Sequence, residues 1–412
     1  MAFITFILDL EINFVFKIVT LKNKQMKNLL NIFLIITLLT GCSSSSPDIN
    51  LKKIDKLISE LVTDNKTVGI TYAININDSI VISKSYGFTN LESKTEINKN
   101  DEFRIASITK PFTATAIMQL VEKNKLSLND TISQFFPNLP NSNKITIYQL
   151  LSHTSGIPDW WEGEMPKDEP KNFPMCKNPH LYIERMKKIS LFEPGTFHYY
   201  SNTGYVLLGE IIEIVSGLSY SDYISQNIFI PSGMKNTEME EIEKSSKNWV
   251  VGYAYNTEFK NPFTKPQYYH MPFSAGGLRS TATDLMSFMK SLNSGKLVTK
   301  KSLEMMTTYA LLNNGQPVYE KLFSPNGNKP EFPSNIEKFG YGLGFQIIQN
   351  YDAKVISHGG DIAGFNSVLM YIPKSKTTLV ILSNTENGIL SNLQEIEKLA
   401  TSIEINKTKA KK

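Results

Sequence analysis

The chain has 412 residues, 41% of them apolar, with 43 Lys and Arg against 39 Asp and Glu, so it is long enough for one large domain or two intimately packed ones and carries a formal charge of only +4. That balance implies no nucleic-acid partner. The two cysteines build no disulfide framework, and the five histidines, His153, His180, His198, His270 and His358, show no paired ligand spacing, so neither a metal nor a cofactor is expected.

The first elements belong to export. From Met26 the sequence reads Met-Lys-Asn, then an apolar run from Leu29 to Leu39, then Thr40-Gly41-Cys42 and four serines. A short basic start, an apolar stretch too brief to span a bilayer and small residues before a cut make a signal peptide. Leu39-Thr40-Gly41-Cys42 resembles the bacterial lipobox, which implies a lipidated Cys42, a membrane partner and an exported cell-envelope lipoprotein. Residues 1–41 are therefore read as leader and signal peptide, with translation expected from Met26 and a longer leader as the alternative. They hold four Lys against Asp9 and Glu11, a net of +2, which leaves about +2 for the remainder. Residues 42–48 are read as a lipidated linker, 49–405 as the folded domain and 406–412 as a solvated basic tail, with attraction to anionic lipid as its alternative.

Within the domain, Ile49–Leu61 has helical periodicity, and Gly69–Asn75 and Ser79–Gly87 alternate as a hairpin turning at Asn77-Asp78. Helices are expected at Ser107–Lys123, Thr203–Val215 and Thr281–Leu292, the last opened by the capping-box match Thr281-Ala-Thr-Asp284. Gly342–Gln346, Lys354–Ser357, Asn366–Ile372 and Thr377–Asn384 read as further strands, and Leu390–Ile403 as a closing helix. This order predicts an α/β (α+β) fold. Both chain ends would share one antiparallel sheet flanked by the terminal helices, with a mainly helical lobe, roughly 107–290, inserted between them.

Ser107-Ile-Thr-Lys110 stands where an extended segment gives way to an apolar helix. A serine hydroxyl is a weak nucleophile at neutral pH until a partner takes its proton, and a lysine three residues on lies one helical turn away. Ser232-Gly-Met-Lys235 and Ser287-Phe-Met-Lys290 share that spacing. Context separates them: Pro111 marks a helix beginning, and a serine there sits among free backbone N–H groups that can hold an oxyanion. No phosphate-binding glycine loop and no G-x-S-x-G elbow occurs.

Further strings surround this one: Leu150-Leu-Ser-His-Thr-Ser-Gly-Ile-Pro158, Glu193-Pro-Gly-Thr-Phe-His-Tyr-Tyr-Ser-Asn-Thr-Gly204, Ser274-Ala-Gly-Gly-Leu-Arg-Ser280 and Ser357-His-Gly-Gly360. In this order they resemble the serine hydrolases related to class C β-lactamases, D-Ala-D-Ala carboxypeptidases and their esterase relatives. The resemblance implies a β-lactamase/transpeptidase-like fold and an acyl-enzyme at Ser107. It implies Lys110 and Tyr200 as proton carriers, with a Tyr200 phenolate stabilised by the charge of Lys110, and Asn202 orienting Lys110 and binding substrate. His358-Gly359-Gly360 stands where the lactamases carry Lys-Thr-Gly, so a partly charged His358 would position substrate, Gly360 would keep the strand open to it, and the N–H of Asp361 would complete the oxyanion hole.

Small esters, D-amino-acid-containing peptides or β-lactams are the implied partners. A rival reading is a non-catalytic protein that binds peptidoglycan fragments. His153 is read as a structural turn residue, Tyr341-Gly-Leu-Gly344 as the start of a strand with close backbone packing, Asp159, Trp160 and Trp161 as a lip of the cleft, and Cys176 as an incidental thiol.

Overall fold

Residues 47–77, 79–159, 190–240, 248–254, 262–263, 273–320, 336–350 and 353–403 are described in the structure, a computed structural model. The chain divides into two units, Met1–Ile49 and Asn50–Lys412, and apart from the first three residues of the opening helix the second carries everything below.

Helix α1 (Pro47–Thr63) puts Ile54, Ile58 and Leu61 on one buried stripe, the spacing of a single helix face. It starts two residues before the expected domain boundary and takes in the end of the expected linker 42–48. Strands β1 (Gly69–Ile76) and β2 (Ser79–Asn90) form the expected hairpin, and Asn77 at its turn adopts φ +50°, a left-handed conformation that asparagine tolerates. Asp78 lies outside the described residues. Next come β3 (Thr95–Glu96), β4 (Phe103–Arg104), a tight turn over Ala106–Ile108 and helix α2 (Thr109–Glu122).

The middle holds α3 (Ile147–Leu151), α4 (Asn202–Ser216), α5 (Tyr220–Ile224), α6 (Ile230–Ser232), β5 (Glu238–Met239), β6 (Gly252–Tyr253), β7 (Pro262–Phe263), α7 (Phe273–Gly276), β8 (Leu278–Ser280), α8 (Ala282–Asn293) and α9 (Lys300–Met306). Thr281 caps α8, its Oγ1 accepting from the Asp284 N–H at 3.1 Å. The chain closes with β9 (Ile336–Tyr341), β10 (Gln346–Asn350), β11 (Lys354–Ile362), β12 (Phe365–Ile372), β13 (Thr377–Ser383) and α10 (Leu390–Thr401).

Eight strands make one sheet in the order β3-β2-β1-β13-β12-β11-β10-β9, with β1 antiparallel to β13. The two ends of the domain thus share a sheet, as expected. Alternation along the strands sorts its two faces. Ile70, Tyr72 and Ile74 of β1 and Leu379 and Ile381 of β13 pack with Ile58 of α1 and Ile396 of α10. Ala73, Val380 and Leu382 join a larger core with Phe112 of α2, Leu208 of α4 and Phe288 of α8.

One expected strand is corrected. Residues 342–345 form the turn between β9 and β10, because Gly344 takes φ +90° and the Gly342 N–H bonds the Phe345 carbonyl at 2.8 Å. A Cβ at Gly344 would stand 2.4 Å from the Ala114 Cβ, so the close packing expected of Tyr341–Gly344 is met against α2.

Candidate active site

The site begins with a strained turn. Ala106 has φ +45°, a conformation that costs roughly 1–3 kcal/mol for a residue with a Cβ and persists only when its surroundings over-determine it. Here they do. The Ile105 N–H donates to Leu278 O at 3.0 Å, the Leu278 N–H donates to Thr109 Oγ1 at 3.2 Å, and Ser367 Oγ donates to Ile105 O at 3.0 Å. Two strands from different parts of the chain therefore clamp the turn. Ser107 is presented, half-buried, to a cleft of about 570 Å³, while Lys110, one turn on, is fully buried behind it.

Lys110 Nζ lies 3.1 Å from Ser107 Oγ, 2.6 Å from Asn202 Oδ1 and 2.7 Å from Ala275 O. Burial pushes this ammonium down to about 7, against the upward pull of the Asp159 carboxylate. Tyr200 lines the cleft beside Ser107, is hydrogen-bonded with it, and holds its ring centroid 4.7 Å from Lys110 Nζ. Burial pushes the Tyr200 phenol up from its ordinary value. This bears against the expected phenolate beside an ammonium: burial disfavours the charged form of each group, so the phenol keeps its proton and the amine gives its proton up more readily than a lysine in water.

Asn202 opens α4, and its orientation comes from Asp159. Asn202 Nδ2 donates to Asp159 Oδ2 at 3.0 Å, which turns Oδ1 toward Lys110. The Asn202 and Thr203 N–H groups donate to Asp159 Oδ1 at 2.7 and 3.1 Å, so the carboxylate also caps the positive end of the helix. Burial raises Asp159 to about 6 against the lowering effect of those bonds and of the Lys110 charge. His153, at φ +58° in a turn as expected, accepts the Ser201 N–H on Nδ1 at 3.1 Å and so holds the Tyr200–Asn202 loop.

The far wall is β11, and two expectations about it change. His358 is 1% exposed, with both ring nitrogens committed: Nδ1 to Gly359 O at 2.7 Å and Nε2 to the Tyr341 hydroxyl at 2.8 Å. A backbone carbonyl can only accept, so Nδ1 carries the proton and Tyr341 donates to Nε2. Burial and then the Lys110 charge hold His358 down to about 3, so it is a neutral part of the wall. Gly360 is needed for packing: a Cβ there would stand 2.2 Å from Ile105 O and 2.3 Å from Ser367 Oγ. Its bareness lets β11 approach the Ser107 turn. The side chain of Asp361 is exposed at the rim.

With this geometry in place, the Beta-lactamase family profile matches residues 54–399. The chain belongs to that family. A penicillin-binding protein of Bacillus subtilis strain 168 is 29% identical over 327 residues, covering 74% of this chain and 66% of its own length. The chain thus spans just under two thirds of that relative. Among solved structures, the octameric penicillin-binding protein homologue from Pyrococcus abyssi superposes with a TM-score of 0.68 at 29% identity, over 84% of this chain and 77% of that one. The D-amino acid amidase from Ochrobactrum anthropi SV3 superposes with a TM-score of 0.65 at 25% identity, over 85% and 98%. The β-lactamase/transpeptidase-like fold and kinship with serine hydrolases follow.

The structure brings Ser107, Lys110, Tyr200, Asn202, His358, Gly360 and Asp361 to one cleft. Sequence reasoning missed the Ala275 carbonyl, although it quoted the string Ser274–Ser280 that holds it, and Asp159, which it placed on a lip. The available signal for Asp159 was a carboxylate at the end of the string carrying His153. Cys42, Trp160, Trp161 and Cys176 lie outside the described residues. The rival motifs separate plainly: Lys235 and Lys290 are exposed, and Ser287 Oγ donates to its own helix at Thr283 O.

Proposed function

We propose that this protein is a serine hydrolase that forms an acyl-enzyme on Ser107 and releases it to water, acting on small esters or on amide bonds of D-amino-acid-containing peptides. The hydrogen-bond valence of Lys110 carries this reading. A neutral amine has two N–H donors and one lone pair. Asn202 Oδ1 and Ala275 O are placed to take the donors, which leaves the lone pair for the Ser107 hydroxyl at 3.1 Å.

In the first step Ser107 Oγ attacks the substrate carbonyl carbon and its proton passes to Lys110. The oxyanion is held by the N–H groups of Ser107 and Asp361. In support, the Gly360 carbonyl accepts from Asn366 Nδ2 and Ser367 Oγ at 3.3 and 3.4 Å, so the Asp361 N–H of the same trans peptide points the opposite way, toward the cleft. Tyr200, a phenol, gives a proton to the leaving amine or alkoxide and is reprotonated from Lys110. The C–N or C–O bond breaks and the acyl group remains on Ser107. Water then adds, its proton going to the Lys110–Tyr200 pair and back to Ser107 Oγ as the acid departs. Asp159 acts through Asn202 as a positioning residue.

The family supports the chemistry, and the D-amino acid amidase and penicillin-binding relatives support amides and β-lactams as acylating agents. A β-lactamase activity is the second reading, favoured by the penicillin-binding relatives. The export signal and Cys42 support a lipid-anchored cell-envelope location, which Cys42→Ala tests by moving the protein from the membrane to the soluble fraction.

Intact mass after mixing with p-nitrophenyl acetate or benzylpenicillin tests the nucleophile. An acyl adduct on wild type and none on Ser107→Ala is the expected result. Equal labelling of both proteins overturns the assignment, and no adduct or turnover with any ester, amide or lactam leaves the peptidoglycan-binding reading.

A further inference from the structure

The cleft does not end at the sheet. β11 loses its neighbour β10 beyond Ser357, so residues 358–362 form an open edge on that side. The cleft runs over this edge to the face covered by α10, where Val368, Leu390 and Leu393 line it. Gly359 stands at the crossing. A Cβ built there meets only Ser367 O, at an ordinary 3.9 Å, so the space over it is open, whereas the space over Gly360 is filled. Leu390, in the first turn of α10, is 53% exposed although it lines the cleft wall. A large apolar side chain left in water beside an unfilled hollow is a surface awaiting an apolar group.

Charge adds a second constraint. Among the described residues, Asp361 is the one charged side chain lining the cleft, and alternation places it on the same face as Gly359. Glu386 lies near enough for its negative charge to act on that carboxylate, which adds a second acidic group beside the rim. His358 brings no compensating charge, since both its ring nitrogens are committed within the protein.

We propose that the edge from Gly359 to Asp361 is a subsite for a carboxylate-free substrate, whose apolar side chain lies over Gly359 against Leu390 and Leu393 with an ammonium at Asp361. The class named is amides or esters of apolar amino acids bearing a free amino group. It rests on the cleft being the substrate site proposed above.

The test uses the full chain carrying Ser107→Ala, because binding to this variant does not depend on whether Ser107 reacts. Calorimetric titration with phenylalaninamide and with N-acetylphenylalanine is expected to show the amide binding at least about tenfold more tightly. Adding Asp361→Asn should bring the two affinities together. Adding Leu390→Asn should weaken phenylalaninamide about tenfold and leave glycinamide unchanged. Equal or tighter binding of N-acetylphenylalanine, or indifference to both substitutions, overturns the subsite. Ammonia release from phenylalaninamide by wild type separates the two readings: the binding preference without turnover sinks the role of Ser107 and keeps the subsite, while turnover without the preference sinks the subsite alone.

Discussion

Two clusters of buried cations flank the turn that carries Ser107, and they meet desolvation in opposite ways. On one side Arg104 forks onto Glu240, Nε to Oε2 and Nη2 to Oε1 both at 2.7 Å, while Arg279 reaches Oε1 at 3.2 Å and stacks 4.1 Å from the Trp249 ring. These side chains are 4–7% exposed. Burial pushes Arg279 down and Glu240 pushes it back, and a guanidinium keeps its proton in any case. On the other side the hydrogen bonds of Lys110 go to neutral oxygens, and the carboxylate of Asp159, bonded to Asn202, acts on it by charge alone. Neutral acceptors do not offset the desolvation of a charge, so Lys110 falls to about 7. A buried cation with a carboxylate partner is scaffold. Without one, the Lys110 ammonium is pushed toward the neutral amine that the proposed mechanism uses as a base.

The largest expected effect comes from turning one kind of cluster into the other. Lys110→Arg keeps a cation beside Ser107 but no group that can be neutral, and kcat/KM should fall roughly a thousandfold or more, as for Ser107→Ala. Near-wild-type turnover of Lys110→Arg on p-nitrophenyl acetate would remove the contrast altogether. In the opposite cluster, Glu240→Ala removes the carboxylate that two buried guanidiniums share, and urea denaturation should show a loss of about 3–5 kcal/mol. The molecules that remain folded should keep the wild-type pH midpoint for turnover, and a moved midpoint would show that the two clusters are coupled.

A smaller effect sharpens the role of Asp159. Asp159→Asn loosens Asn202 and should lower kcat/KM by up to about a hundredfold. Because the Asp159 charge raises Lys110, removing it should also move the pH midpoint below about 7, a displacement that a purely structural defect would not produce. The mildest prediction concerns wild type alone. The amine must be neutral to accept the serine proton, so kcat/KM should rise with pH through about 7, roughly tenfold between pH 6 and 8, and a flat profile there would exclude Lys110 as the base.

Much of this was legible before any coordinates. Ile54, Ile58 and Leu61 spell a helix face, and the alternation of β1 and β13 spells a sheet buried on both sides, because those periods are local consequences of backbone geometry. Ser107, Lys110, Tyr200, Asn202 and His358 were named by their motifs, whereas Ser367, Leu390 and Leu393, which also line the cleft, belong to none. What misled was reading side chains without their surroundings. His358 looked like a partial cation until Tyr341 and Gly359 were seen to claim both nitrogens, and Gly360 looked like room for substrate until Ile105 was seen to fill it. Gly342–Gln346 looked like a strand, although two glycines within five residues and a turn packed on α2 argue otherwise.

The sequence by itself determined the main helices, the strands of the chain ends that share a sheet, and the family's serine-to-lysine motif, since these depend on residues a few positions apart. Only the tertiary structure decided their chemical state. The acceptors of Lys110 lie 92 and 165 positions away in the chain, and the carboxylate that turns Asn202 lies 43 positions from it. Desolvation is a property of the assembled surroundings, so the same serine-to-lysine spacing that ends in water at Lys235 and Lys290 yields a lysine with a lowered pKa where the fold closes over Lys110.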